Sequence, residues 1–266
     1  MVGLALVFAL LQEPRAAAGL DHAHPAWDAL LHEFVHESGL VDYRGLAARR
    51  ADLDGYLAAL QAVKSEEFAG FGAEQREAFW INAYNAWAVA LILDNPKAAS
   101  IRDLGGLFSS VFDRRLVPLQ HLTGDDKMLS LGEIEHAVLG QTARRPTFHF
   151  AIVCASLSCP ELRAEAYVAD RLDAQLDEQA RKFLADPAKN DVTFADGRLR
   201  VSKIFDWSED ELERYPGGIR ALLRDFGPEA VAKNPALATV KLKYRDYDWS
   251  LNAWFPKAET DSKPAQ

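Results

Sequence analysis

Past its N-terminal apolar run, the 266-residue chain has no apolar stretch long enough to cross a bilayer, so no transmembrane segment is expected in the mature protein. Positive charge is also in deficit. Thirty Lys and Arg stand against 39 Asp and Glu, a formal net charge of -9, and the basic residues are scattered without forming a stripe. Such a surface repels polyphosphates and anionic lipid, and nucleic acid is not expected as a partner. No internal repeat or low-complexity segment is seen, which excludes solenoids and arrays. Also missing is the regular strand-helix alternation of a doubly wound sheet. Cysteine is scarce, with only Cys154 and Cys159 in the chain.

What is present is material for a core. With 49% hydrophobic and 10% aromatic residues, the chain can bury one large domain. Residues 1–18 read as a signal peptide, with an apolar run too short to span a membrane, then Arg15 and the small residues Ala16-Ala17-Ala18. The mature domain is expected over residues 19–255, followed by a disordered polar tail over residues 256–266. Localisation is therefore expected to be exported, periplasmic or secreted, where two thiols can be oxidised.

Helical spacing recurs at Trp27, Leu31, Phe34 and Val35, and again from Leu46 to Leu60 after Asp42, a good N-cap. Residues 73–95 form the strongest predicted helix, stopping where Asn95 precedes Pro96. Its second half is apolar all round, so it is buried, and Asn82 and Asn85 must find partners inside the fold. Residues 101–127 are Gly-, Asp- and Arg-rich without periodicity, a functional loop or lid. Ser130 and Glu133 make a capping box, and Ser208 and Glu211 repeat it. Residues 148–153 read as a buried strand, residues 192–201 as a hairpin turning at Asp196-Gly197, and Val240, Leu242 and Tyr244 as a further strand. The predicted class is α+β, with helices packed around a small, mostly antiparallel sheet.

Three constellations carry chemistry. His32-Glu33-Phe34-Val35-His36 has the spacing with which a helix presents two imidazoles to zinc. With no upstream sheet and no evident third ligand, no metal is assigned. Cys154-Ala155-Ser156-Leu157-Ser158-Cys159-Pro160 has two readings. In one, a thiol is a nucleophile, with His149 or His136 as base and Glu135 or Asp248 orienting the ring. In the other, the cysteines close a disulfide worth roughly 2 kcal/mol. Asn82 and Asn85, finally, either support an oxyanion or imidazole or pin loops to the central helix.

Several strings together are distinctive: VDYRGL at 41–46, AFWINAYNA at 78–86, EIEH at 133–136, HFAIVCASLSCPEL at 149–162, VSKIFDW at 201–207 and YDWSLN at 247–252. In this order they resemble the family known as domain of unknown function 547, across roughly residues 26–252. The resemblance implies an unassigned activity and points to Asn82, Asn85, Glu135, His136, His149, Cys154, Ser158, Cys159, Pro160, Asp248 and Asn252. A central helix followed by a histidine-bearing strand is similar in outline to papain and transglutaminase-like proteins. Those enzymes place a cysteine where this chain has Trp80-Ile81-Asn82, so here either a nucleophile comes from Cys154 or Cys159 or the site is not that of a thiol enzyme.

The leading expectation is a thiol-type hydrolase or acyl-transfer enzyme. Its catalytic residues are Cys154, His149, His136, Glu135 and Asn82, and its binding residues are Asn85, Ser158, Cys159 and Asp248. It needs no cofactor, and its partner is a small molecule or peptide-like substrate. The alternative is a non-catalytic envelope binding module with a Cys154–Cys159 disulfide. A zinc hydrolase using His32 and His36 is third.

Overall fold

The computed structural model describes residues 19–106, 109–191 and 193–255. The signal peptide and the polar tail expected from the sequence lie outside the described residues.

Helix α1 (Pro25–Phe34) turns Trp27, Leu30, Leu31 and Phe34 inward. In α2 (Tyr43–Ala48) the Asp42 carboxylate accepts the Gly45 amide as an N-cap. Then come α3 (Arg50–Gln61), α4 (Ser65–Ala69) and the central α5 (Ala73–Leu93). Every residue of α5 from Glu77 to Ile92 is buried, as its all-round apolar sequence requires. Short 3-10 turns punctuate the loop that follows, and Ser130 and Glu133 make their reciprocal capping bonds. The next helix is π-helical over Glu133–Leu139 and closes with the single turn α6 (Gly140–Thr142). Helix α7 (Leu172–Ala185) packs on the segment around His149, and the short helices α8 (Ile204–Trp207), α9 (Glu209–Leu212) and α10 (Gly218–Phe226) complete the second half.

The expected sheet is where sequence and structure part. The described residues are mostly helical, and their one sheet is a parallel pair, β1 (Arg198–Val201) with β2 (Lys241–Tyr244), in the register Leu199 opposite Leu242. The mostly antiparallel α+β sheet, and with it the papain-like outline, is therefore corrected. Residues 148–153, expected as a strand, begin as a 3-10 helix over Pro146–Phe150. A short apolar run does not distinguish strand from buried helix by period alone, and Pro146 at the first helical position favours the turn. The Asp196-Gly197 reversal is present, with φ of 54° and 66°, yet the ladder stops at a single antiparallel bridge between Asp191 and Arg200.

Side-chain amides of α5 replace the missing ladder. Asn85 donates Nδ2 to the Ala151 carbonyl at 2.9 Å and accepts the Val153 amide on Oδ1 at 2.9 Å. Asn82 does the same for both backbone groups of Tyr167, at 2.8 and 3.0 Å. Each asparagine thus acts as the missing strand neighbour for a buried loop, satisfying groups that would otherwise be unpaired.

The core divides into two clusters. Phe148 belongs to the one built on α1 to α5, Phe150 to the one built on α7 and α10, and Tyr247 packs against both. His149 sits between these two phenylalanines, at the seam.

Candidate functional site

A cavity of about 310 Å³ opens along that seam, and Glu135, His136, His149, Cys154 and Cys159 all contribute to its wall. The π-helical segment supplies two consecutive residues, Glu135 and His136; such wide turns are frequent at functional sites. Glu135 Oε1 lies 3.5 Å from His149 Nδ1, and its Oε2 accepts the Tyr84 hydroxyl of α5 at 3.4 Å. Burial alone would raise the Glu135 carboxyl, but His149 first, then His136 and Tyr84, outweigh it and hold the group below the ordinary carboxylate range.

The second capping box is diverted. Ser208 stands at the N-cap of α9 without capping it, and its Oγ instead lies 3.3 Å from His149 Nδ1. Glu211 Oε1 sits 3.2 Å from His136 Nδ1. Both residues of the expected box therefore serve imidazoles. The box was legible in the sequence; that its polar atoms turn to His149 and His136 depends on where α9 docks. The result is two imidazole–carboxylate pairs with ring centres 6.3 Å apart. The His136 side chain is 50% exposed, whereas that of His149 is 1% exposed and its buried Nε2 has no hydrogen-bond partner.

Cys154 and Cys159 are joined as a disulfide, with Cα atoms 6.1 Å apart, and there is no free cysteine. Of the two readings of this segment, the structure takes the bridge; a thiol nucleophile belongs only to a reduced state. Cys154 Sγ is 3.1 Å from Ser156 Oγ and 3.2 Å from the Tyr247 hydroxyl. Ala155, between Cys154 and Ser156, has φ of 59°, a left-handed conformation that brings the serine back toward the sulfur. Tyr247, Trp249 and Trp207 form an aromatic wall with ring centres 4.5 to 5.5 Å apart, and Trp207 is 47% exposed. Burial raises the Tyr247 phenol far above its ordinary value, so it is a hydrogen-bond donor at neutral pH.

Other expected site residues fall elsewhere. Asn82 and Asn85 spend their amides on backbone, outside the cavity wall. Ser158 and Asp248 line a second cavity of about 340 Å³. There Ser158 Oγ accepts the Asp248 amide at 2.8 Å, and the Asp248 carboxylate accepts the Ser250 amide at 2.9 Å, so it orients no imidazole. Asn252 accepts the buried Tyr43 hydroxyl at 2.7 Å. His32 and His36 do not form a metal pair: α1 ends at Phe34, Val35 is extended, and His36 stacks on Trp254 at 4.0 Å while His32 turns to Asp28. Among the described residues no group of three His, Cys, Asp or Glu is placed to hold a metal. The aromatic wall and Tyr84 were missed in the sequence because aromatic residues at helical or strand spacing first indicate core.

Comparison with known proteins rests on one match. Residues 68–184 match the family described as "Protein of unknown function, DUF547". The DUF547 resemblance thus covers α5, the π-helical segment, His149 and both cysteines, and ends inside α7. The motifs around residues 41–46, 201–207 and 247–252, which carry Ser208's neighbour Trp207 and the aromatic wall, lie outside the matched DUF547 segment. No curated protein and no solved structure matches the chain.

Proposed function

We propose that the seam cavity is the active site of a hydrolase or acyl-transfer enzyme in which His149 is the general base and Glu135 orients it. The observation that carries this reading is the His149 ring: its Nδ1 side meets Glu135 and Ser208, while Nε2 is buried and unpaired. An unsatisfied buried nitrogen costs roughly 1–3 kcal/mol, a cost that proteins keep where the atom has a job. A base held this way at one nitrogen takes a proton at the other. His136, half exposed and 6.3 Å away, is the group that exchanges that proton with solvent. When reduced, Cys154 supplies the nucleophile, its thiolate receiving hydrogen bonds from Ser156 and Tyr247. The aromatic wall suits a small-molecule or peptide-like substrate with a flat apolar part.

The test is turnover of a panel of p-nitrophenyl acyl esters by protein reduced with dithiothreitol. His149→Gln is expected to lower turnover by about 100-fold or more. His136→Gln should lower it less. Equal turnover by wild type and His149→Gln would overturn the assignment.

A second reading, a non-catalytic binding module, draws on the disulfide and on the asparagine pairs, whose role is structural. A panel that gives no turnover, together with ligand binding unaffected by His149→Gln, would favour it. Export belongs to the proposal as well, since a disulfide persists in an oxidising compartment. Intact mass of the protein from an exported fraction tests it: cleavage near Gly19 is expected, and an uncleaved cytoplasmic chain would contradict it.

A further inference from the structure

The cysteine pair stands between two cavities. Cys154 and Cys159 both contribute to the wall of the seam cavity, and Cys159, with Ser158 and Pro160, also contributes to the second cavity. The two sulfurs have different surroundings: Cys159 Sγ accepts one backbone amide, from Cys154 at 2.8 Å, whereas Cys154 Sγ faces side-chain hydroxyls. Two hydroxyls lie against Cys154 Sγ, Ser156 at 3.1 Å and Tyr247 at 3.2 Å; the single Ser156 proton goes to Tyr247 at 3.3 Å while the sulfur is oxidised, and rotates to the sulfur once it is a thiolate. A disulfide sulfur is a weak acceptor, whereas a thiolate is a strong one. Hydroxyls gathered on Cys154 therefore stabilise the reduced state of that sulfur more than the oxidised state seen here. The left-handed Ala155 holds Ser156 in this position.

From this we infer that Cys154–Cys159 is a reversible redox lock on the seam site, opened by a dithiol that attacks Cys159 from the second cavity and releases Cys154 as the favoured thiolate. One thiolate of the dithiol bonds to Cys159 Sγ as the Cys154–Cys159 bond breaks, and its electron pair leaves on Cys154 Sγ. The second thiol of the reductant then attacks its own sulfur in the mixed disulfide. The reductant leaves as a cyclic disulfide, and Cys159 takes a proton. Two electrons pass from the dithiol to the pair, so atoms and charge balance. Cys154 is the sulfur to leave because a better stabilised thiolate departs faster. The lock rests on the proposed function for its consequence, a nucleophile delivered into the cavity that His149 also lines, but not for the redox chemistry itself.

The experiment uses the full mature chain without substrate. Native protein is equilibrated in buffers of reduced and oxidised dithiothreitol, quenched with iodoacetamide, and analysed by peptide mass spectrometry. Both sulfurs should become labelled together at one midpoint ratio, the disulfide should re-form when the buffer is made oxidising, and Cys154 should alkylate first. Tyr247→Phe keeps the ring against Trp207 and Trp249, and should lower the Cys154 alkylation rate at neutral pH by about 3- to 10-fold as its thiol pKa rises. Ser156→Ala serves as the second variant and should act in the same direction. A pair that is reduced only in denaturant would overturn the lock, as would Cys154 labelling that neither variant changes. Reversible reduction with no ester turnover would leave the lock standing and remove the hydrolase reading. Resistance to native reduction would overturn the lock and the Cys154 nucleophile with it; turnover by the unreduced protein that His149→Gln still abolishes would leave the His149 base standing.

Discussion

Glu135 and His149 come from segments that share no sheet and no helix, yet Glu135 Oε1 and His149 Nδ1 approach to 3.5 Å at the seam between the two clusters of the core. Because the Glu135 carboxyl is held below its ordinary range, its charged form stabilises the fold. That contribution is complete above the ordinary carboxylate value and is lost as the pH falls through the lowered folded value. Glu135→Gln is accordingly expected to reduce the urea midpoint at neutral pH, and the gap to wild type should close in acid. A gap that stays constant into acid would show that the carboxylate is not stabilised by its imidazole neighbours.

His24 and Glu77 give the stability profile a hidden balance. Burial lowers the His24 imidazole to about 4, helped by the charge of His22. Burial also raises the Glu77 carboxyl to about 7, against the opposing Arg144 amide and charge. With His24 the unfolded chain binds the extra proton between about 4 and the ordinary 6.5, so stability rises with pH across that window. With Glu77 the folded chain binds it between the ordinary 4.5 and about 7, so stability falls with pH there. The two slopes oppose each other where the windows overlap. Glu77→Gln should unmask a rise in stability as the pH is brought up through this range, measurable by urea unfolding. A flat profile in the variant would contradict it.

Asn82 and Asn85 each satisfy two backbone groups inside the protein. Asn85→Ala should therefore cost roughly 2–4 kcal/mol of unfolding free energy, and Asn82→Ala a similar amount. A loss below about 0.5 kcal/mol, the level of an ordinary surface change, would show that water replaces the amides.

Ala155 carries a side chain at φ of 59°, where an L residue costs about 1–2 kcal/mol. Ala155→Gly should raise stability by up to about 1 kcal/mol, with the entropy of the freer unfolded glycine offsetting part of the relief. Destabilisation by the same amount would mean that the Ala155 methyl, buried at 2% exposure, contributes more by packing than its backbone costs.

Much of the helical frame was legible. The N-cap at Asp42, the buried α5 and the Ser130–Glu133 box are local features, written in spacings of three and four residues. The sheet was not, because residues 148–153 carry no period and Ala151 and Val153 find their ladder partner in one side chain, that of Asn85, 66 and 68 positions away. In the site, Glu135, His136, His149 and the cysteines were found by residue type and do share one cavity. Ser208 and Glu211 were recognised only as a capping box, since a hydroxyl or carboxylate satisfies a helix end and an imidazole equally well. Nothing in the local pattern records which one tertiary packing brings closer.

The role of His149 as base is tested most directly by the proton position on its ring, read from ¹⁵N–¹H correlations of the imidazole side chain at neutral pH. A proton is expected on Nδ1, facing Glu135, with Nε2 unprotonated; Glu135→Gln should weaken that preference. A proton resident on Nε2 in the wild-type protein would contradict it, because the free nitrogen would then be Nδ1, turned to Glu135 and Ser208.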